Sequence, residues 1–568
     1  MTNKEIAKLL KLTASLLELH DENQFKIRTY INAVFNIEKQ EEALIEKNKD
    51  ELEKLEGIGK GLAQSIIEIS KSGSFRLFDE LISKTPEGIL EMIDLKGIGP
   101  KKIKIIWKEL NIESIDALLD ACKTGKLAKL KGFGAKTQET IMHNLEYLNS
   151  QRGKVLFADA EPWAHHLIDI LRTAFPTQKI ELTGDFRRKL DVIELVEILM
   201  DSMNTTTVKT LLSNSKTVEI DNRSSGPFTL RGTFTSIKLK WNIRFTNSSA
   251  FHGKMMLSTG SGKHLAGLIK DGKTMHQYLL SEEIDSEKAA YEEFESHYIE
   301  PELREGTFEI DYKSNKELPR LLELEDLNGP FHNHSNYSDG KNHIRQLAEY
   351  CIGKGYDYLG LSDHSKSAFY ANGLPEFQII KQHEEIDELN RELSPFKIFK
   401  GIESDILNDG SLDYEPDVLV SFDFIVASVH SNLNMDRDKA TQRLLKAIEN
   451  PYTTFLGHPT GRLLLRRKGY PIDHKKIIDA CATHGVIIEI NANPWRLDLD
   501  WRWINYAIEQ GVTLSINPDA HEIEGFDHMK YGVYMGRKGA LTKEKTFNAW
   551  SLETVEKYLM DRKEKIKA

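Results

Sequence analysis

Short apolar runs alternate with amphipathic stretches through the last part of the chain, from about Leu327 to Lys563. Each run ends in a polar or glycine-containing segment: FHNHSNYSDG, YLGLSDHS, IFKGIESDIL, FIVASVHS, TFLGHP and LSINPDAH. Between them lie segments of helical period such as HIRQLAEYCIGKGY and DKATQRLLKAIEN. This βα alternation predicts a barrel of parallel strands with its polar residues at the strands' C-terminal ends. The first 150 residues read differently. Their apolar positions recur at helical spacing from Glu5 to about Lys49, including FKIRTY at Phe25–Tyr30, which predicts an all-α region.

The polar ends of the C-terminal runs carry nine candidate metal ligands: His332, His334, Asp339, His364, Glu403, His430, His458, Asp519 and His521. A lone histidine at a strand end is usually only a satisfied polar residue. The H-x-H and D-x-H pairs change that, because residues i and i+2 of a strand face the same way. Imidazoles and carboxylates are what Zn²⁺, Mn²⁺ and Fe²⁺ sites use. The pattern points to a multinuclear metal hydrolase.

Three glycine hairpins punctuate the helical region: LEGIGKGLAQSI at Leu55–Ile66, LKGIGPKKIKII at Leu95–Ile106 and LKGFGAKTQETI at Leu130–Ile141. Glycine tolerates left-handed backbone and close approach. The second glycine of each loop precedes a helix, whose free N–H groups can face a phosphate oxygen. These units resemble helix-hairpin-helix motifs, which implies sequence-independent contact with the DNA backbone through Gly57, Gly59, Gly97, Gly99, Lys101, Lys102, Gly132, Gly134 and Lys136. From Lys96 to Lys136 there are ten lysines against four acidic residues, the local basic surface that phosphate binding needs.

Composition sets the frame. The 568 residues suffice for several domains, and 40% hydrophobic with 29% charged residues is ordinary for a soluble globular protein. No apolar run reaches the roughly 20 residues of a bilayer span, and MTNKEIAKLLKL lacks the features of a secretory signal. Cys122, Cys351 and Cys481 form neither a disulfide framework nor a zinc knuckle, so the cytoplasm is the expected compartment. A net charge of −11 excludes a globally basic nucleic-acid binder and leaves DNA contact to local patches.

From about Gly153 to Tyr312 the chain resembles the palm and thumb of family X DNA polymerases, a nucleotidyltransferase-like α+β fold. ELTGDFRR at Glu181–Arg188, LSTGSGKH at Leu257–His264 and YIEPELREG at Tyr298–Gly306 carry the resemblance. In that family an Asp-x-Asp pair and a third Asp hold two Mg²⁺ ions. Here the matching positions fall on Leu195, Glu197 and Asn242, and Asp185 replaces the usual serine. A shifted register would offer Glu194 or Asp191 instead. Leucine cannot coordinate Mg²⁺ and asparagine supplies only a neutral oxygen, so weak Mg²⁺ binding and a degenerate polymerase centre are expected. Arg187, Arg188 and the Thr259–Gly260–Ser261 turn remain suited to a nucleotide phosphate or DNA end.

The C-terminal motifs resemble the PHP (polymerase and histidinol phosphatase) superfamily, whose fold is a distorted seven-stranded (β/α) barrel. All nine ligand positions match; Pro330–Phe331 departs from the usual residues ahead of the H-x-H, at positions that are not ligands. The resemblance implies two or three divalent ions (Mn, Zn or Fe) and phosphoester hydrolysis, with Glu403, Asp519 and His364 catalytic and Glu403 bridging. One site would take His332, His334, Glu403 and Asp519; a second Asp339, His364 and Glu403; a third His430 and His458; His521 would complete the first or a neighbouring shell. Lys366, Arg462 and Arg496 are candidates for substrate phosphate, with Asn491 and Asn493 in support.

Taken whole, the chain resembles bacterial family X polymerases fused to a PHP domain. The expected organisation is a helical DNA-binding region over 1–150, palm and thumb over 151–315, a linker over 316–328 and the PHP domain over 329–568. The resemblance implies a Mn²⁺-dependent 3′→5′ exonuclease and, in some members, cutting at abasic sites. Three readings follow: a repair nuclease with a degenerate palm, a working polymerase–exonuclease, or a DNA-binding scaffold whose PHP domain hydrolyses small phosphomonoesters. The expected partner is gapped, nicked or abasic duplex DNA, with no membrane, and the expected state a monomer.

Overall fold

The computed structural model describes residues 3–38, 40, 42–93, 95, 98–269, 272–311 and 318–567. It forms two compact units, Met1–Arg152 and Gly153–Ala568. The first unit is all helical, with one continuous apolar core running from Ile6 to Leu145. Three of its helices start at the hairpin glycines: α1 (Lys60–Ser72), α2 (Pro100–Leu110) and α3 (Ala135–Ser150). In α2, proline at the first turn costs no hydrogen bond, and Ile103, Ile106 and Trp107 bury one face.

The second unit opens on a five-stranded sheet formed by β1 (Ile180–Thr183), β2 (Leu195–Asp201), β3 (Val218–Ile220), β4 (Thr229–Phe234) and β5 (Lys240–Thr246). Its order is β1-β2-β5-β4-β3, with β2 and β5 parallel and the other neighbours antiparallel.

Six parallel strands follow: β6 (Tyr358–Leu361), β7 (Lys397–Asp405), β8 (Phe424–Ser428), β9 (Phe455–Leu456), β10 (Ile487–Asn491) and β11 (Leu514–Asn517), neighbours in sequence order. Strands β6 and β8 to β11 are buried along their whole length, which is why β8 (FIVAS) reads as a near-continuous apolar run rather than an alternating one. Residues 330–334 close the curl between its two edges. The Gly360 and Ser362 N–H groups donate to the Pro330 and Asn333 carbonyls at 2.8 and 2.9 Å, and the His334 N–H donates to Ala520 O at 2.8 Å. The result is a barrel-like ring with the first ligand pair built into its seam.

The opposite end is plugged by aromatics. Phe331 is fully buried, with ring centroids of Tyr358, Phe399, Phe424, Phe455 and Phe547 at 5.1–5.5 Å. Two glycines make room for this: a Cβ on Gly360 would lie 2.6 Å from the Phe331 ring, and one on Gly401 2.1 Å from the Phe424 ring. Helix Leu552–Lys567 covers the plug through Val555 and Leu559.

The two parts of the second unit share a core, in which Leu156, Phe157 and Val196 lie in one apolar cluster with Ile402, Ile490 and Met535. The Lys538 ammonium, buried, donates to Arg188 O (2.9 Å) and Glu302 O (3.2 Å) and pairs with Glu305 (2.6 Å). The stretch between the two parts packs closely: Leu322 donates to Leu541 O at 2.8 Å, and Asn328 holds the Ala549 and Trp550 carbonyls. Among the described residues no helix is long and apolar enough to cross a membrane.

Phe331→Ala empties the centre of the plug, and should cost about 3–5 kcal/mol of stability. Thermal unfolding would register this as a clearly lowered transition of the second unit.

Candidate metal centre

Strand ends and the seam deliver all the candidate ligands but Asp339, which sits on the turn at 336–339. His332 and His334 come from the seam, and His364 follows β6 and bridges to Glu403. Glu403 lies near the end of β7; His430, His458 and the Asp519–His521 pair follow β8, β9 and β11. His458 (φ +22°) and Asp519 (φ +52°) hold left-handed backbone unusual for such residues, as ligand positions often do.

All nine candidates converge. Four overlapping groups have donor atoms within 4.8 Å of one another: His334, Asp339, His364 and His521; His332, Glu403 and His458; His332, His334 and Asp519; His364, Glu403 and His430. Among the described residues, every group of this kind belongs to the barrel. The expected partition is corrected in two places. Asp339 keeps company with His364 and His521 instead of Glu403, and His430 and His458 gather on Glu403 instead of standing apart.

Glu403 explains the second change. Its Oε1 faces His332, His430 and His458 at 3.2, 3.1 and 3.0 Å, while its Oε2 faces His364 at 2.9 Å and His334 at 3.7 Å. A carboxylate with separate histidine sets on its two oxygens can span two ions; an imidazole cannot. The donor set fits divalent metals on a second count. His332 Nε2, both His334 nitrogens, Asp339 Oδ1, His364 Nδ1 and Glu403 Oε2 are buried without a hydrogen-bond partner. Polar atoms so placed normally cost stability unless something binds them.

The electrostatics divide the histidines. Neighbouring carboxylates outweigh burial at His332, which is raised, at His430 (to about 10) and at His521 (to about 9), where a bound cation would displace a proton. His334 goes the other way. Burial, with His521 and His364 alongside, pushes His334 down to about 3, so its ring is the neutral form that metals take. Burial alone would raise the Glu403 carboxyl, but His430, His332 and His364 hold it well below the usual carboxylate range.

Two residues that the sequence reading passed over orient the ligands. Glu489 Oε2 lies 2.6 Å from His332 Nδ1, and its other oxygen accepts from the His458 N–H at 3.1 Å and Asn491 at 2.9 Å. Asp405 Oδ1 lies 2.5 Å from His430 Nδ1. Such carboxylate–histidine pairs fix the tautomer and ring orientation. Strand alternation was the available signal, since Asp405 follows Glu403 by two positions and Glu489 precedes Asn491 by two. Asn491 also donates to Asp519 Oδ2 at 3.1 Å, whereas Asn493 caps its own turn at Trp495.

Of the phosphate candidates, the structure brings only Arg496 to the centre, with Nε 3.1 Å from Asp519 Oδ2. Arg462 is a structural clasp, buried against Asp500 and holding the Arg496 and Leu497 carbonyls. Lys366 pairs with Glu376 at 2.7 Å on the surface.

Among the described residues, the palm region holds no comparable group of ligands. Glu197 on β2 stands directly opposite Asn242 on β5, with Leu195 at the start of β2. The Glu197 carboxylate is taken by Arg244 at 2.7 Å, and burial raises its pKa even so. The Asn242 carbonyl is buried without a partner. Asp185 also lies close enough to Glu197 to raise its pKa, and is itself paired with Arg188. Arg187 is bound by Glu287 (2.6 and 3.1 Å) and Thr259 Oγ1 (2.9 Å). Arg188 holds Thr259 O (2.6 Å), Asp185 and Glu305. Ser261 caps the short helix after Gly260 by accepting from the His264 N–H.

In the helical unit, Gly57 (φ +76°) and Gly132 (φ +88°) turn the chain in the left-handed region. Gly59, Gly99 and Gly134 then start α1, α2 and α3 without a side-chain cap, and a Cβ on any of these three would meet nothing within 4 Å. These N-termini are therefore open to an approaching anion. Lys101 and Lys136 are exposed nearby and Lys102 lies 5.6 Å from the Phe133 ring; Gly97 falls outside the described residues.

Comparison with known proteins agrees with this division. A "Helix-hairpin-helix domain" model matches residues 1–75, a "SAM-like Helix-hairpin-helix tandem" 89–146 and a "PHP domain" 330–493. The "DNA polymerase/3'-5' exonuclease PolX" of Bacillus subtilis is 34% identical over 98% of this chain and 99% of its own. The chain belongs to the family X DNA polymerases that carry a PHP domain. A "Probable phosphatase" of Thermoanaerobacter sp. (strain X514) is 26% identical over 39% of this chain and 90% of its own. Family membership and a PHP domain with converged ligands make the chain a metal-dependent hydrolase with DNA-binding helix-hairpin-helix regions.

Glu489→Gln should weaken metal binding about 10- to 100-fold, because it removes the charge that orients His332. Isothermal titration with Mn²⁺ or Zn²⁺ checks this; unchanged affinity would remove Glu489 from the site.

Proposed function

We propose that this protein is a DNA-repair nuclease: the PHP centre hydrolyses phosphodiesters from the 3′ end, and the palm region binds DNA without polymerising it. The observation that carries the reading is the contrast between two sites in one unit. The barrel gathers nine ligands with orphaned donor atoms, whereas the palm's Glu197 is closed by Arg244.

Divalent ions, two or three of Mn, Zn or Fe, would lower the pKa of a water and polarise the phosphoryl oxygens. The chain's own residues supply the rest. Glu403 would be shared between ions, with Asp519, His332 and His334 on one side of it and His430 and His458 on another. Glu489 and Asp405 hold the His332 and His430 rings in place. Arg496 gives its Nε to Asp519 and forms no other ion pair among the described residues, so its terminal nitrogens can receive a phosphate oxygen. The open helix starts at Gly59, Gly99 and Gly134 would grip the DNA backbone whatever the sequence. Gapped, nicked or abasic duplex is the proposed substrate, with cutting at abasic sites as a further activity, by a monomer acting in the cytoplasm.

A second reading, hydrolysis of small phosphomonoesters, draws on the similarity to the Thermoanaerobacter phosphatase. Mn²⁺-loaded protein should shorten a 3′-labelled oligonucleotide far faster than it hydrolyses a phosphomonoester; the reverse preference would favour the second reading. His332→Ala combined with His334→Ala should abolish DNA degradation, and persistence of degradation would move the chemistry elsewhere. Primer extension with Mg²⁺ or Mn²⁺ should give no sustained incorporation. Synthesis that Glu197→Ala abolishes would overturn the inactive-palm assignment.

A further inference from the structure

Two aromatic side chains stand in solvent at the rim of the metal centre. Phe369 is 87% and Tyr370 70% exposed, while His364, a ligand a few residues earlier, is 5% exposed. The Tyr370 ring centroid lies 6.2 Å from that of His364.

Their loop is held firmly. The Leu374 N–H donates to His364 O at 2.8 Å, and the Lys366 and Ser367 N–H groups donate to Tyr414 Oη at 3.1 Å and Asp413 Oδ2 at 2.7 Å. At Gly373 a Cβ would meet Ser365 O at 1.9 Å, so the chain doubles back with no space to spare. A loop pinned at both ends that directs two large apolar groups outward gains nothing from them in folding.

An open groove of about 440 Å³ begins at Tyr370 and is lined by Ser367, Leu407, Asn408 and Ser431. Asp405, which orients His430, forms part of its wall, so the groove reaches the residue that stands behind that ligand. Hydroxyl, amide and apolar groups line it together with Asp405 and Asp409, and no lysine or arginine does. That lining suits an uncharged planar group and repels a phosphate.

We propose that Tyr370, with Phe369 beside it, is a stacking platform for the terminal nucleobase of a single-stranded DNA 3′ end whose phosphodiester lies on the metal centre. This rests on the nuclease reading. Stacking tolerates any base because each has a π-face, which matches the sequence independence of the helix-hairpin-helix contacts. It also gives the site a means of preferring DNA to small phosphomonoesters that lack an aromatic ring.

The test uses the full-length protein and two oligonucleotides, one ending in a normal 3′ nucleotide and one in an abasic sugar. Tyr370→Ala should lower kcat/KM about tenfold on the normal end and leave the abasic end unchanged; Tyr370→Trp should restore the loss. Independently of turnover, metal-free protein should quench a 3′-terminal 2-aminopurine, and Tyr370→Ala should abolish the quench. Equal losses on both ends, no loss on either, or a quench that survives Tyr370→Ala would overturn the platform; unchanged behaviour would assign the aromatics to a protein partner. Wild-type protein that releases nucleotide from neither end would instead defeat the nuclease reading, and the quench alone would then decide the platform.

Discussion

Glu403 is a fully enclosed carboxylate ringed by five imidazoles, and much of the barrel's upper end depends on that arrangement. A buried charge is tolerated only when it is paired and hydrogen-bonded or coordinates a metal. Three strand ends each bring one histidine to it, and the barrel seam brings two. None of these elements can shift without leaving part of the carboxylate uncompensated. The seam matters most, because the backbone bonds that close the ring at residues 330–334 also fix where His332 and His334 stand. Closure of the fold and assembly of the site are therefore one event. The aromatic plug at the other end seals the barrel from below, and the glycines at 360 and 401 allow it to do so.

The nine ligands were legible in the sequence because strand ends place them at short, regular distances from apolar runs, and two of the pairs obey the two-residue alternation of a strand. Their grouping was not legible. Which histidine faces which oxygen of Glu403 depends on how neighbouring strands are staggered, and spacing along one strand carries no information about that. Glu489 and Asp405 hide for a related reason: they touch ligands delivered by other strands. Arg462 misleads because GHPTGRLL looks like a phosphate loop. Its guanidinium is instead consumed by Asp500 and two backbone carbonyls. The glycine hairpins were easily read, since left-handed turns and uncapped helix starts are backbone requirements written directly in residue type.

The palm makes the complementary case. Glu197, opposite Asn242 on the neighbouring strand, is paired with Arg244. Arg187 and Arg188 follow the same course. In place of open guanidinium groups, they form a web with Glu287, Glu305 and Thr259 that braces the region internally. The fold keeps its shape through ion pairs among residues that resemble a nucleotide-handling set.

The buried ammonium of Lys538 has a mechanical consequence. Its partners, Arg188 O, Glu302 O and the Glu305 carboxylate, all lie in the palm and thumb region, while the lysine itself belongs to the barrel. Severing the two would strand a positive charge on one freshly exposed face and a carboxylate on the other. The palm and thumb region is therefore scaffolding for the barrel whatever chemistry it performs itself.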